Sequence, residues 1–128
     1  MGSLTGIDHL VLTVADVAAS AAFYERLGLR HETFGEGRHA VVGPGFKLNL
    51  HPAAGDPIEP RAARPTPGSA DVCLVHDGPL AEIVALLDDV GVPVELGPVR
   101  RTGARGPMTS VYVRDPDRNL VELCSYEG

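Results

Sequence analysis

The sequence predicts an α+β protein built from two βαβββ modules, each a curved mixed sheet with one helix on its outer face. Three observations predict it: strand-like runs rich in β-branched residues, two segments with helical periodicity, and the return of the same element order after a proline-rich stretch. The chain has 128 residues and 44% of them are hydrophobic, which is enough to bury a core. We therefore expect a single domain over residues 1–128, with two paired sheets.

Module one is expected at about residues 5–52. It opens with the strand-like segment GIDHLVLTV, and Asp16 then offers a side-chain N-cap to a helix that ends before Gly28. Three short strands follow in residues 29–52, because glycines near positions 35–37 and the segment GPG at 43–45 are typical of hairpin turns.

The first pattern returns after a linker at residues 53–69, whose prolines cannot sustain a helix or a central strand. Module two is expected at about residues 70–127: the segment SADVCLVH as a strand, a helix that closes at Gly91, and the strands PVELGPVR, MTSVYVRDP and NLVELCSY. When the two modules are aligned, His9 of module one is equivalent to Asp71 of module two, and Asn49 is equivalent to Glu122. The chain therefore reads as a duplicated module.

Composition excludes several classes of partner. The formal net charge is −6, with 11 Lys and Arg against 17 Asp and Glu, and no basic run interleaves with aromatic residues, so we expect neither nucleic acid nor an anionic membrane as partner. The first apolar run is short and interrupted, which predicts neither a signal peptide nor a membrane span and favours the cytoplasm. Cys73 and Cys124 lie in apolar strand-like runs, and we expect both to be reduced thiols packed in the core.

A group of potential metal ligands falls at matching places of the two modules. If both sheets curve around one cavity, His9 and Asp71 from the opening strands, and Asn49, His51 and Glu122 from the closing strands, face it. Imidazole and carboxylate together suit Zn²⁺, Ni²⁺, Mn²⁺, Fe²⁺ or Co²⁺. The other interpretations stay open: a solvated Glu122, a structural His9, a solvent-facing His51, and an Asp71 that caps its strand.

Arginines near a glycine-rich segment form a second candidate group. The segment RRTGARGP is interpreted either as a mobile flap, whose Arg101 and Arg105 meet an anionic substrate, or as an ordinary solvated loop that also holds Arg100. We expect Asn49, Arg101, Arg105 and Tyr112 to bind the substrate.

The segments IDHLVLTVADVAASAAFYERLGL, FKLNLHP, PTPGSADVCLV and SVYVRDPDRNLVELCSY resemble the vicinal oxygen chelate superfamily, also named the glyoxalase, bleomycin resistance and extradiol dioxygenase family. The chain looks closest to its small virulence-associated, glyoxalase-domain-5-like members. The resemblance implies a glyoxalase-like fold with metal ligands at His9, Asp71 and Glu122, and a fourth at Asn49 or His51. Histidine is the commonest residue at the Asp71 place, and glyoxalase I enzymes carry glutamate at the Asn49 place.

This resemblance implies a lyase or isomerase that uses one divalent metal ion and acts on a small molecule with vicinal oxygens. Because Asn49 cannot accept a proton, the catalytic base is expected at Glu122 or His51, with Asp71 as a further possibility. An Fe²⁺ ring-cleaving dioxygenase and a metal-free drug-binding resistance protein are the alternatives. The resemblance also implies a homodimer. Finally, Arg118 replaces the glycine of the closing turn DPDGN.

Overall fold

A computed structural model describes residues 1–128 and contains two helices and eight strands. The expected α+β architecture is confirmed: there are two four-stranded mixed sheets, and each contains one parallel pair. The chain divides into two compact units, Met1–Pro67 and Gly68–Gly128, which we call module one and module two. No helix is long and apolar enough to cross a membrane.

Module one begins with strand β1 and one helix. The elements are β1 (His9–Val14), α1 (Val17–Arg26), β2 (Arg30–Phe34), β3 (Arg38–Gly43) and β4 (Phe46–Pro52). The predicted N-cap is confirmed, since the Asp16 side chain accepts a hydrogen bond from the backbone N–H of Ala19 at 3.0 Å. The sheet order is β1-β4-β3-β2, with β1 parallel to β4.

The apolar residues of module one alternate onto the face that α1 covers. Leu12 and Val14 of β1 and Leu48 and Leu50 of β4 are almost fully buried there, together with Phe23 of the helix. Because side chains alternate along a strand, the residues between them point to the other face. We call that other face the polar face of module one; it carries His9, Val11, Thr13, Arg30, Glu32, Phe34, Arg38, Ala40, Val42, Lys47, Asn49 and His51.

Module two repeats the same order of elements. They are β5 (Asp71–His76), α2 (Leu80–Asp89), β6 (Leu96–Gly103), β7 (Gly106–Arg114) and β8 (Leu120–Ser125), and the sheet order is β5-β8-β7-β6. Val111, Val113, Val121 and Leu123 are buried on one face, and α2 contributes Leu87 to the apolar residues buried in this module. The opposite face, the polar face of module two, carries Asp71, Cys73, Val75, Leu96, Arg101, Met108, Ser110, Tyr112, Arg114, Leu120, Glu122 and Cys124.

The registers confirm the internal repeat residue by residue. Val11 lies opposite Asn49 in the parallel pair of module one, and Cys73 lies opposite Glu122 in that of module two. The predicted equivalence of Asn49 with Glu122 therefore follows from the strand pairing.

The closing turn of module two is fixed by one buried carboxylate. Asp115 accepts hydrogen bonds from the backbone N–H groups of Asp117 and Asn119 and from the Asn119 side-chain amide, at 3.0, 2.9 and 2.8 Å. The side-chain oxygen Oδ1 of Asn119 in turn accepts a hydrogen bond from the backbone N–H of Ala70 at 2.8 Å, which ties the beginning of β5 to the beginning of β8. Arg118 occupies the left-handed region with φ +68°, the conformation that glycine adopts more easily.

Two local expectations are wrong. The segment RRTGARGP is a tight hairpin and not a loop, because β6 and β7 pair down to Gly103 and Gly106 and leave only Ala104 and Arg105 outside the strands. The glycine at 106 has φ +116°, which suits such a tight reversal. Cys124 is buried as expected, but Cys73 is exposed, because it lies on the polar face of β5, which is an edge strand.

Candidate functional site

His9 begins β1 on the polar face of module one, and a neighbouring carboxylate orients its ring. Nδ1 of His9 lies 2.8 Å from Oδ1 of Asp8, so the Nδ1–H donates to the carboxylate, and in this tautomer Nε2 is the nitrogen that can bind a metal ion. The His9 side chain is 43% exposed, and its hydrogen bond to the protein uses Nδ1 and not Nε2. This arrangement is typical of histidines that bind metals, whose second ring nitrogen usually donates to a carboxylate or carbonyl.

Asn49 and His51 follow on the same face, two residues apart on β4. Asn49 is only 4% exposed, and its side-chain oxygen has no hydrogen-bond partner. Nε2 of His51 lies 3.4 Å from a terminal guanidinium nitrogen of Arg38. Partial burial of the ring, and then the Arg38 charge, lower the pKa of His51 below its ordinary value, so the imidazole is neutral at neutral pH.

Glu122 lies in the middle of the polar face of module two. One carboxylate oxygen, Oε2, accepts a hydrogen bond from the Ser110 hydroxyl at 2.6 Å, and the other makes no hydrogen bond to the protein. No Lys, Arg or His forms an ion pair with Glu122. The carboxylate is therefore held in place at one oxygen and free at the other.

Asp71 and Cys73 lie on the same face, beside Glu122. Asp71 is exposed at the beginning of β5, and Cys73 is the direct partner of Glu122 in the parallel pair. Partial burial of the sulfur is the largest cause of a raised pKa of the Cys73 thiol; a hydrogen bond with Cys124 and the charges of Glu122 and Asp71 act in the same direction. The carboxylates of Asp71 and Glu122 thus both act on the Cys73 thiol.

Tyr112 is the partner of Glu122 across the antiparallel pair of β7 and β8. The Tyr112 hydroxyl accepts a hydrogen bond from Nε of Arg101 at 2.9 Å, so its own proton remains available to an acceptor outside the protein. Arg105 lies elsewhere: its backbone N–H donates to the Tyr126 hydroxyl, and its guanidinium lies 4.2 Å from the centre of the Tyr126 ring. Neither arginine pairs with a carboxylate.

The structure therefore brings the predicted residues together in two sets. His9, Asn49 and His51 share the polar face of module one; Asp71, Arg101, Tyr112 and Glu122 share that of module two. No three His, Cys, Asp or Glu side chains are grouped so that they could hold a metal ion. The donor types fit a divalent metal, and His9 and Glu122 each keep a free donor atom, but four ligands around one point are not seen.

Sequence reasoning missed the residues that orient these side chains. Asp8 and Ser110 fix His9 and Glu122, and Arg38 approaches His51. Asp8 could have been suspected because it directly precedes His9. Ser110 carried no comparable signal, since its role depends on the register of β7 with β8.

Comparison with known proteins gives the family. The model of the Glyoxalase/Bleomycin resistance protein/Dioxygenase superfamily matches residues 6–123. The chain belongs to this superfamily. It is 46% identical over 121 residues to Virulence protein STM3117 of Salmonella typhimurium, an alignment that covers 94% of this chain and 83% of that protein. The crystal structure of that protein has a TM-score of 0.93 and 44% identity, and the match covers 98% of this chain and 99% of that one.

Two further proteins are similar to this chain. The chain is 46% identical over 125 residues to the glyoxalase domain-containing protein RDO1 of Mycosarcoma maydis, covering 98% of this chain and 70% of that protein. A lactoylglutathione lyase from Agrobacterium tumefaciens has a TM-score of 0.73 at 23% identity, covering 98% of this chain and 97% of that one. This last likeness concerns the fold alone.

Proposed function

We propose that this protein is a divalent-metal-dependent enzyme of the superfamily, a lyase or isomerase that acts on a small substrate with two adjacent oxygen atoms. The observation that carries the proposal is the environment of Glu122. Its carboxylate is part-buried, held at one oxygen by Ser110 at 2.6 Å, and not paired with any cation of the chain. A partly buried carboxylate without a counter-charge is costly, and a bound cation removes that cost.

His9 supports the same proposal independently. Its Nδ1–H donates to Asp8, which leaves Nε2 as the metal-binding atom, and we propose His9 and Glu122 as the principal ligands. Asp71, which is exposed on the same face as Glu122, is proposed as the third ligand, and His51 as an alternative ligand or base. When bound, Zn²⁺, Ni²⁺, Mn²⁺, Fe²⁺ or Co²⁺ would act as a Lewis acid toward the two substrate oxygens.

The chain's own residues supply the proton chemistry in this proposal. Glu122 or neutral His51 accepts the proton that moves, and Tyr112 donates a hydrogen bond to a substrate oxygen next to Glu122. Arg101 keeps the Tyr112 hydroxyl in the donor orientation, because its guanidinium already donates to that oxygen at 2.9 Å. The carboxamide of Asn49 orients the substrate.

Metal titration of matched variants tests the proposal. His9→Gln and Glu122→Gln keep the approximate size of each side chain but remove a ligand. His76→Gln and Glu82→Gln are the controls, since His76 and Glu82 already pair with each other at 3.0 Å. We expect calorimetry to show that the wild-type protein and both controls bind one Zn²⁺ per site. His9→Gln and Glu122→Gln should bind Zn²⁺ at least tenfold more weakly.

Equal affinity in all four variants would contradict the metal site and favour the metal-free binding protein as the alternative. Oxygen uptake on catechol by the Fe²⁺-loaded protein would instead reassign the reaction to ring cleavage.

We also propose that the protein is a homodimer that binds a small molecule and neither nucleic acid nor membrane. Support comes from large apolar side chains that are exposed in the single chain, among them Leu4 at 103% and Ile7 at 83% relative exposure. A monomeric mass by light scattering from micromolar to millimolar concentration would contradict the dimer.

A further inference from the structure

Two cations of module one contact the same aromatic ring. The guanidinium carbon of Arg38 lies 5.0 Å from the centre of the Phe34 ring, and Nζ of Lys47 lies 4.0 Å from it. Arg38 and Phe34 are direct partners in the pair of β2 and β3, and Lys47 projects to the same face from β4. The ring therefore fixes two positive charges close together on the polar face of module one.

Neither cation has a counter-charge within the chain. The ion pairs of the structure involve Arg30, Arg61 and Arg114 and two histidines, but not Arg38 or Lys47. The contrast is sharp on this face, because Arg30 on the neighbouring strand pairs with Glu32 at 2.7 Å. In a chain of net charge −6, two adjacent cations without a carboxylate indicate that an anion from outside completes the group.

A second observation on the same face also points to a ligand. The side-chain oxygen of Asn49 is buried without a hydrogen-bond partner, although the residue is only 4% exposed. Lys47 and Asn49 are two residues apart on β4, so their side chains point the same way. A ligand that carries a hydroxyl next to an anionic group would donate a hydrogen bond to the Asn49 oxygen and neutralise the charges of Arg38 and Lys47.

We propose that Arg38 and Lys47, gathered around Phe34, bind an oxyanionic group of the ligand, a carboxylate or a phosphate, beside a hydroxyl that donates to Asn49. This proposal rests on the proposed function in one respect: it takes the ligand to be the substrate of the enzyme. The substrate would then be an anionic molecule. The oxyanion subsite itself needs no metal. An experiment on the metal-free protein can therefore contradict the oxyanion subsite without testing the metal site.

The test uses metal-free protein in the presence of a chelator, titrated with sodium phosphate and separately with sodium acetate at constant ionic strength. Amide chemical shifts report both affinity and location. We expect saturable binding of at least one anion, with shifts centred on Phe34, Arg38 and Lys47. The anion that binds more tightly identifies the group as phosphate or carboxylate.

Matched variants decide whether the binding belongs to this site. Arg38→Gln and Lys47→Gln should each weaken binding at least tenfold. Lys47→Arg should retain binding, because it keeps the positive charge, and the amide shifts of each glutamine variant without anion show whether that variant is folded. Arg30→Gln is the control, since it removes the same charge from the same face but from a pair with Glu32.

Two results would overturn the proposal. One is the absence of saturable binding of either anion by the folded wild-type protein. The other is an equal loss of binding in Arg30→Gln and Arg38→Gln, which would assign the effect to general electrostatics and not to the cations around Phe34.

Discussion

Replacing Asp115 by alanine should destabilise module two strongly, because one carboxylate fixes the whole closing turn. The variant loses the three hydrogen bonds, at 2.8 to 3.0 Å, that the Asp115 carboxylate accepts from the backbone N–H groups of Asp117 and Asn119 and from the Asn119 side chain. Asp115 is 4% exposed and Asn119 is 1% exposed, so water cannot easily replace the lost acceptor. Hydrogen bonds to charged groups contribute about 1.5–3 kcal/mol each and are not additive, which gives a loss of about 4 kcal/mol.

That loss can be measured by urea unfolding followed by circular dichroism, and by thermal melting. With an unfolding entropy of about 2.1 cal/mol/K per residue, 4 kcal/mol corresponds to a decrease of about 15 °C in Tm. Asp115→Asn keeps the acceptor for the two backbone N–H groups but turns an amide toward Asn119, so its loss should be about half as large. A loss below about 1 kcal/mol in Asp115→Ala would refute the reasoning and would show that the turn is held by its backbone alone.

Three further results are expected. Arg118→Gly should raise Tm by about 2–4 °C, because φ at this position is +68° and glycine adopts it without strain; an unchanged or lower Tm would contradict this. Cys73 should react more slowly with iodoacetamide at pH 8 than free cysteine does, because burial of the sulfur, Cys124 and the nearby carboxylates raise its pKa, and Glu122→Gln should speed the reaction; a rate equal to that of free cysteine would be the contrary result. Ser110→Ala should weaken Zn²⁺ binding about tenfold while Zn²⁺ still binds, since the 2.6 Å hydrogen bond orients Glu122, and calorimetry would reveal an unchanged affinity if the serine played no part.

Much of the fold follows from local sequence signals. The element order, the N-cap at Asp16, the ends of the helices near Gly28 and Gly91 and the absence of regular structure in residues 53–69 were all predictable, because each depends on residues close in sequence. The duplication added the equivalence of Asn49 with Glu122.

Other features could not be predicted because they depend on neighbours distant in sequence. The segment RRTGARGP contains the same residue types whether it forms a loop or a hairpin, and the pairing of Gly103 with Gly106 depends on how β6 and β7 align. The exposure of Cys73 depends on the edge position of β5, which the apolar character of its sequence does not reveal.

The strand faces that carry the candidate residues were predictable, but the contacts of those residues were not. Alternation along the strands correctly put His51 beside Asn49 and Asp71 beside Cys73 on shared faces. The partners of these residues come from other strands: Ser110 for Glu122, and Arg38 for His51. A serine or an arginine in a strand can make many different contacts, so these partners are known only once the register of the paired strands is known.

The central claim is that His9 and Glu122 bind the same divalent ion, and anomalous scattering from crystals grown with Co²⁺ or Zn²⁺ tests it most directly. We expect an anomalous peak with Nε2 of His9 and a carboxylate oxygen of Glu122 both at about 2.0–2.2 Å, contributed by one chain or by two copies. A peak found only elsewhere would contradict it, for example at His31 and His39, whose ring nitrogens lie 2.9 Å apart. Crystals without any ordered metal at millimolar Zn²⁺ would contradict it as well.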